Sequence, residues 1–206
     1  MSGQTHKPVI GILGGVGAGK STVAGLLAEL GCAVIDADRL GHEVLREPGV
    51  KAELVRAYGV SILDTAGEVD RKALAGRVFA EPQGLDRLNG LTHPLIRRRI
   101  AERIGALRHN PSVPAIVLDA ALLLETDWRV FCTHLLFVRA PEAVRAQRAN
   151  EARGWNRSDW ARRENSQKPL DIKESSADYI VDNNSSLSCL REQVHAAYHR
   201  IVHSAD

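Results

Sequence analysis

The sequence is poor in cysteine, has no long apolar run and carries no excess of one charge. Its three cysteines, Cys32, Cys132 and Cys189, are odd in number, far apart and form no C-x-x-C pair. That argues against a disulfide framework or a cysteine-built zinc site, and free thiols suit a reducing compartment. No apolar stretch approaches the ~20 residues that a membrane-spanning helix needs. The run Val9–Leu13, behind the polar Met1–Lys7, is too short for the core of a signal peptide. Lysine and arginine total 27 against 25 aspartates and glutamates, a formal charge of +2. General attraction to nucleic acid or membrane is therefore not expected, and anion binding must come from local placement of cations. Repeats and low-complexity tracts are also missing. With 44% hydrophobic and 25% charged residues among 206, the chain reads as a soluble, cytoplasmic protein; its oligomeric state is not legible from the sequence, a monomer being the default expectation. Its length suits one domain, or one core carrying insertions.

What is present begins with strand and helix signals. Pro8–Leu13, Ala33–Asp36, Ala115–Leu118, His134–Val138 and Tyr179–Asp182 read as short buried strands. Helical segments separate them, so the expectation is an α/β fold with about five parallel strands and helices on both faces. Gly31 closes the helix that starts at Lys20, and Ser186 caps the last one. From Arg39 to Leu107 the pattern is helical, and Ile62-Leu63 is the weakest strand candidate.

Gly14-Gly-Val-Gly-Ala-Gly-Lys-Ser21 matches G-x-x-x-x-G-K-[ST] between a strand and a helix. Glycines let consecutive backbone N–H groups wrap a phosphate, and the helix adds the positive end of its dipole. The expected ATP contacts are Gly15, Val16, Gly17, Ala18, Gly19, Lys20, Ser21 and Thr22. Lys20 reaches the β- and γ-phosphates, while the Ser21 hydroxyl ligates Mg²⁺. A GTPase would add D-x-x-G and N-K-x-D motifs. Asp64-Thr-Ala-Gly67 fits the first but also reads as a plain turn, and the second is absent. Asp36-Ala-Asp38-Arg39 closes the second strand, where open α/β sheets bind ligands. Asp38 is expected near the γ-phosphate, as a base for an attacking hydroxyl. Arg145, Arg148, Arg153, Arg157, Arg162 and Arg163 crowd one segment that could cover the triphosphate, although a solvated surface accounts for several of them.

Taken together, these residues resemble the dephospho-coenzyme A kinase family along nearly the whole chain. The likeness continues through Val69-Asp70-Arg71, Leu88-Asn89, His93-Pro94-Leu95-Ile96, Gln167, Lys173, Ala177-Asp178 and Asp182-Asn183-Asn184. Two departures stand out. Leu13 occupies the usual threonine position, and Ala121-Leu-Leu-Leu-Glu125 replaces P-L-L-[FY]-E. The resemblance implies transfer of phosphate from ATP to the ribose 3′-hydroxyl of dephospho-coenzyme A. It implies a P-loop core (8–38, 92–140, 175–206), an acceptor-binding helical part (39–91) and a lid (141–174). Asp38, Lys20 and Arg148 would be catalytic. Asp38, Arg39, His93, Leu123 and Glu125 would meet the acceptor, and Arg145, Arg148 and Arg153 would serve the lid. From the residues alone, His93 before a proline reads as a turn residue. The alternatives are a shikimate kinase-like enzyme, or a nucleotide-binding regulatory module.

Overall fold

The computed structural model describes residues 7–203; the polar stretch up to His6, and residues 204–206 of the expected core, lie outside the described residues. The strands are β1 (Val9–Gly14), β2 (Ala33–Asp36), β3 (Ile116–Asp119), β4 (His134–Arg139) and β5 (Tyr179–Asp182). The helices are α1 (Lys20–Glu29), α2 (Ala37–Leu45), α3 (Pro48–Tyr58), α4 (Arg71–Ala80), α5 (Gly84–Arg108), α6 (Glu142–Arg153), α7 (Arg157–Asn165), α8 (Leu170–Ser175) and α9 (Leu187–His203). The chain divides into two compact units, Met1–Asp36 with Arg103–Asp206, and Ala37–Glu102.

The first unit is a five-stranded parallel sheet in the order β2-β3-β1-β4-β5. Every residue of β1 is buried, as expected of a central strand covered on both faces, which is why its sequence is continuously apolar. Ile10, Ile12, Val117, Leu136 and Val138 pack with Val23 and Leu27 of α1 and with Leu190, Val194 and Ile201 of α9. Each such side chain contributes roughly 1.5–3 kcal/mol on full burial. Between α1 and β2, the Gly31 N–H donates to the Ala28 carbonyl at 2.9 Å. At α9 the Ser186 hydroxyl accepts from the Cys189 N–H at 3.3 Å. Among the described residues no helix is long and apolar enough to cross a membrane.

The second unit is helical. Leu40, Val44, Val50, Leu54, Ile62, Leu74, Val78, Ile96 and Ile100 are buried. Asp70 caps α4 by accepting from the N–H groups of Lys72 and Ala73, and the buried Tyr58 hydroxyl donates to the Gly84 carbonyl at 2.8 Å. Ile62-Leu63 is not a strand: Val60–Ile62 forms a 3₁₀ turn, and Leu63 makes a lone bridge to Val69. Three residues are too few to propagate a ladder. The largest difference from expectation lies at His93-Pro94, which sit inside the 25-residue helix α5 rather than in a turn. A proline here loses one backbone bond, to the carbonyl four residues earlier. The buried stripe of Ile96, Ile100 and Ile104 carries the helix through. For the same reason the helical unit extends to Glu102 instead of ending at 91.

Candidate active site

β1 ends at Gly14 and α1 begins at Lys20, so the intervening loop faces the carboxyl end of the sheet. The Ala18 N–H donates to the Gly15 carbonyl at 3.2 Å, tightening the turn. The Lys20 ammonium donates to the Gly14 and Gly15 carbonyls, both at 3.0 Å. Gly17 has a φ of +82°, where a side chain is strained. A β-carbon there would also lie 2.2 Å from the Arg145 carbonyl oxygen of α6. Glycine is needed at 17 for the shape of the loop and for the passage of a helix behind it.

Beside the loop is a cleft of about 230 Å³ lined by Gly19, Thr22, Arg148, Asn183, Ser185 and Leu187. Asn183 is buried at its rim. Its side-chain amide donates to the Ala18 carbonyl at 2.8 Å, and its own N–H donates to the Arg139 carbonyl at 2.8 Å. Arg148 donates to the Asn183 carbonyl at 3.0 Å. The loop, the end of β5 and α6 are thus joined through one asparagine, 165 residues from its loop partner. Asn183 and Ser185 were not among the expected contacts, although the Asp182-Asn-Asn segment already stood out as family-like.

The other arginines of 141–174 behave differently. Arg145 is 4% exposed and pairs with Glu164 of α7, so it is a buried structural cation rather than an open lid residue. Arg153 and Arg163 lie over the Trp155 ring, at 4.6 and 3.9 Å from its centroid. Arg157 and Arg162 pair with Glu142 and Asp159 at the surface. Of the six, Arg148 lines the cleft.

At the carboxyl end of the sheet, Asp36 of β2 stands in register with Asp119 of β3. Asp119 was not among the expected site residues, yet its signal was legible: an apolar strand ending in aspartate beside the phosphate-loop strand is the usual source of a magnesium-directed carboxylate. Leu123 is 1% exposed. It packs beneath β1, where a β-carbon on Gly11 would come within 2.6 Å of it; it is a core residue and cannot touch an acceptor. Glu125 pairs with the fully buried Lys173 at 3.1 Å and accepts from the Lys168 N–H at 2.7 Å. Lys173 also donates to Gln167 at 2.7 Å. The second carboxylate oxygen of Glu125, Oε2, is buried without a hydrogen-bond partner.

The remaining candidates belong to the helical unit. Asp38 and Arg39 are exposed in the first turn of α2, and Arg39 pairs with Glu43 at 3.4 Å. His93 is half-buried in α5. A cleft of about 560 Å³ in this unit is lined by His42, Leu45, Arg46, Asp64, Glu68, Val69 and Arg71. The Arg71 guanidinium contacts the His42 ring, 29 residues away in sequence.

Sheet order and the phosphate loop together define a P-loop protein of the small-molecule kinase type. Comparison with known proteins narrows this. Residues 8–188 match the family model described as dephospho-CoA kinase, and the chain belongs to that family. It is 36% identical over 189 residues to the dephospho-CoA kinase of Carboxydothermus hydrogenoformans, covering 91% of each chain. Among solved structures, TT1252 from Thermus thermophilus superposes with a TM-score of 0.80 at 35% identity, covering 94% of this chain and 96% of that one. A dephospho-CoA kinase from Campylobacter jejuni shares the fold, with a TM-score of 0.68 at 22% identity over 96% and 98% of the two chains. The chain is therefore a kinase, and the shikimate kinase-like and non-catalytic alternatives fall away.

Proposed function

We propose that this chain transfers the γ-phosphoryl group of ATP to the ribose 3′-hydroxyl of dephospho-coenzyme A. The products are coenzyme A and ADP, and the reaction is the last step of coenzyme A biosynthesis. The observation that carries the nucleotide half is the sharing of Gly19 between the phosphate loop and the adjoining cleft. At about 230 Å³ the cleft falls below the range for whole drug-sized ligands and suits a single base. The loop amides, except that of Val16, which is turned to Glu164 instead of the expected phosphate, would grip the β- and γ-phosphates with the Lys20 ammonium, and Arg148 would add positive charge from the cleft wall.

Oxygen donors suit magnesium, which keeps several waters and binds chiefly through substrate phosphates and one or two protein groups. Ser21, exposed at the start of α1, and Asp119, at the end of β3, fit that role. Bound there, the ion would neutralise charge on the phosphate oxygens.

In this reading Asp38 accepts the proton of the attacking 3′-hydroxyl. Arg39 and His93 belong to acceptor recognition with the helical unit, whose Arg46 and Arg71 would offer cations to the acceptor's diphosphate. Glu125 has an unsatisfied buried oxygen, and a donor from the acceptor would satisfy it. ATP and dephospho-coenzyme A are the partners, with neither nucleic acid nor membrane. A cytoplasmic monomer completes the proposal.

The test is phosphorus NMR of the product together with kinetics of Asp38→Asn. Phosphate is expected on the 3′-oxygen alone. The variant should lose ~10²–10⁴-fold in kcat, the usual contribution of a general base, with little change in ADP affinity. Phosphate on another oxygen, or a variant running near the wild-type rate, overturns the assignment.

A further inference from the structure

The crest of the phosphate loop is held from behind by side chains that the expected chemistry does not use. Both polar groups of Val16 are engaged by α7: its N–H donates to Glu164 Oε2 at 2.8 Å, and its carbonyl accepts from the Trp160 indole N–H at 3.1 Å. Glu164 is in turn paired through Oε1 with Arg145, whose Nε donates to the Ala140 carbonyl at 3.1 Å. The Arg145 guanidinium lies 5.2 Å from the centroid of the Trp160 ring. Val16, Ala149 and Trp160 form a small buried cluster of their own. Two helices thus converge on one residue of the loop that receives the triphosphate.

We propose that Glu164 is a positioning residue for nucleotide binding: it caps the Val16 N–H and, neutralised by Arg145, holds the loop in its phosphate-receiving shape. The inference rests on the kinase reading of the loop. A carboxylate beside an anion site would by itself oppose ATP. The buried arginine cancels that charge, so the carboxylate can serve as a fixed acceptor without repelling the nucleotide. The arrangement is preorganised, because Arg145 and Trp160 are each 4% exposed and have little freedom to leave.

The opposite reading, a carboxylate that competes with phosphate, predicts the opposite sign, and two substitutions separate them. Glu164→Ala leaves the Val16 N–H without a partner and should weaken ADP binding and raise KM for ATP about tenfold. Its kcat should stay within about threefold, since the group acts on binding and not on the transferring phosphoryl. Glu164→Gln keeps an acceptor for the N–H and should restore ADP affinity to within about threefold of wild type. It should nonetheless lower Tm, because Arg145 is left buried without its counter-charge. Affinity and stability therefore part company in the glutamine variant, which a merely structural role would not produce. Tighter ADP binding by Glu164→Ala, or unchanged affinity in both variants despite a lower Tm, overturns the proposal. If Glu164→Ala does not fold, Trp160→Phe keeps an aromatic ring in the cluster and removes the indole donor to the Val16 carbonyl, leaving that oxygen the longer contact from Arg145 at 3.5 Å. A several-fold loss of ADP affinity is then expected, and no loss overturns the inference. Wild-type protein that binds no ADP would instead overturn the kinase reading, so the two failures are distinguishable.

Discussion

Gly17→Ala tests whether the phosphate loop is shaped by its packing as much as by its ligand. The added methyl group is penalised twice. At a φ of +82° the backbone lies in the left-handed region, which costs a non-glycine residue roughly 1–2 kcal/mol. The new carbon would also sit 2.2 Å from the Arg145 carbonyl oxygen. Backbone cannot swing aside as a flexible side chain can, so α6 must shift, at roughly 1–3 kcal/mol for overpacking. Together these come to about 2–5 kcal/mol, or a fall in Tm of about 4–20 °C at the 2–4 °C per kcal/mol typical of a chain this long. Gly25 supplies the control: it lies within α1 and nothing stands within 4 Å of its would-be β-carbon. Gly25→Ala should stabilise by roughly 0.5–1 kcal/mol through helix propensity. Thermal unfolding of both variants, followed by ADP titration, reads the two effects. A Gly17→Ala protein melting with the wild type would refute the argument from packing.

Lys20→Ala should keep its fold while turnover drops by several orders of magnitude, because the ammonium neutralises charge on the moving phosphoryl group; a steady-state rate within about tenfold of wild type would exclude the lysine from the mechanism. Arg148→Lys keeps the charge but loses the planar fork that reaches Asn183, so kcat should fall, whereas Arg163→Lys, a residue stacked on Trp155, should have a milder effect. If both arginine variants run at the wild-type rate, the arginine-rich segment takes no part in turnover. Burial pushes the Cys32 thiol up to about 11 and the Cys132 thiol to about 12. Native protein should therefore react with a thiol reagent at the exposed Cys189 alone, and at all three cysteines once unfolded. Since both thiols stay protonated longer when folded than when unfolded, their contribution to stability is lost as pH rises from about 9 toward those values; urea midpoints that do not move over that range would contradict it.

Much of the architecture was legible because the information is local. A parallel strand buried on both faces must be a short continuous apolar run, and each of the five runs became a strand. The loop was legible because strand, spaced glycines, lysine and serine are contiguous. Gly31 and Ser186 announced their helix ends for similarly short-range steric and hydrogen-bonding reasons.

Other features were decided only when distant segments met. Nothing in the order of the strands along the chain states that β3 enters between β1 and β2. Pro94 reads as a breaker by its own sterics, and the buried isoleucines on either side of the division at Glu102 outweigh it. Arg145 and Arg148 stand three residues apart on one helix, and spacing alone assigns them the same surface. Packing separates them: α6 runs so close behind Gly17 that Arg145 is sealed against Glu164, while Arg148 reaches the end of β5. Leu123 and Glu125 belong to one motif, yet one is sealed beneath β1 and the other is bound to a buried lysine. The hold on Val16 comes from Glu164, 148 residues away. Local sterics and apolar periodicity determine which elements form. Which side chain faces a ligand and which is buried as support depends on close packing between elements remote in sequence, and only the tertiary structure supplies it.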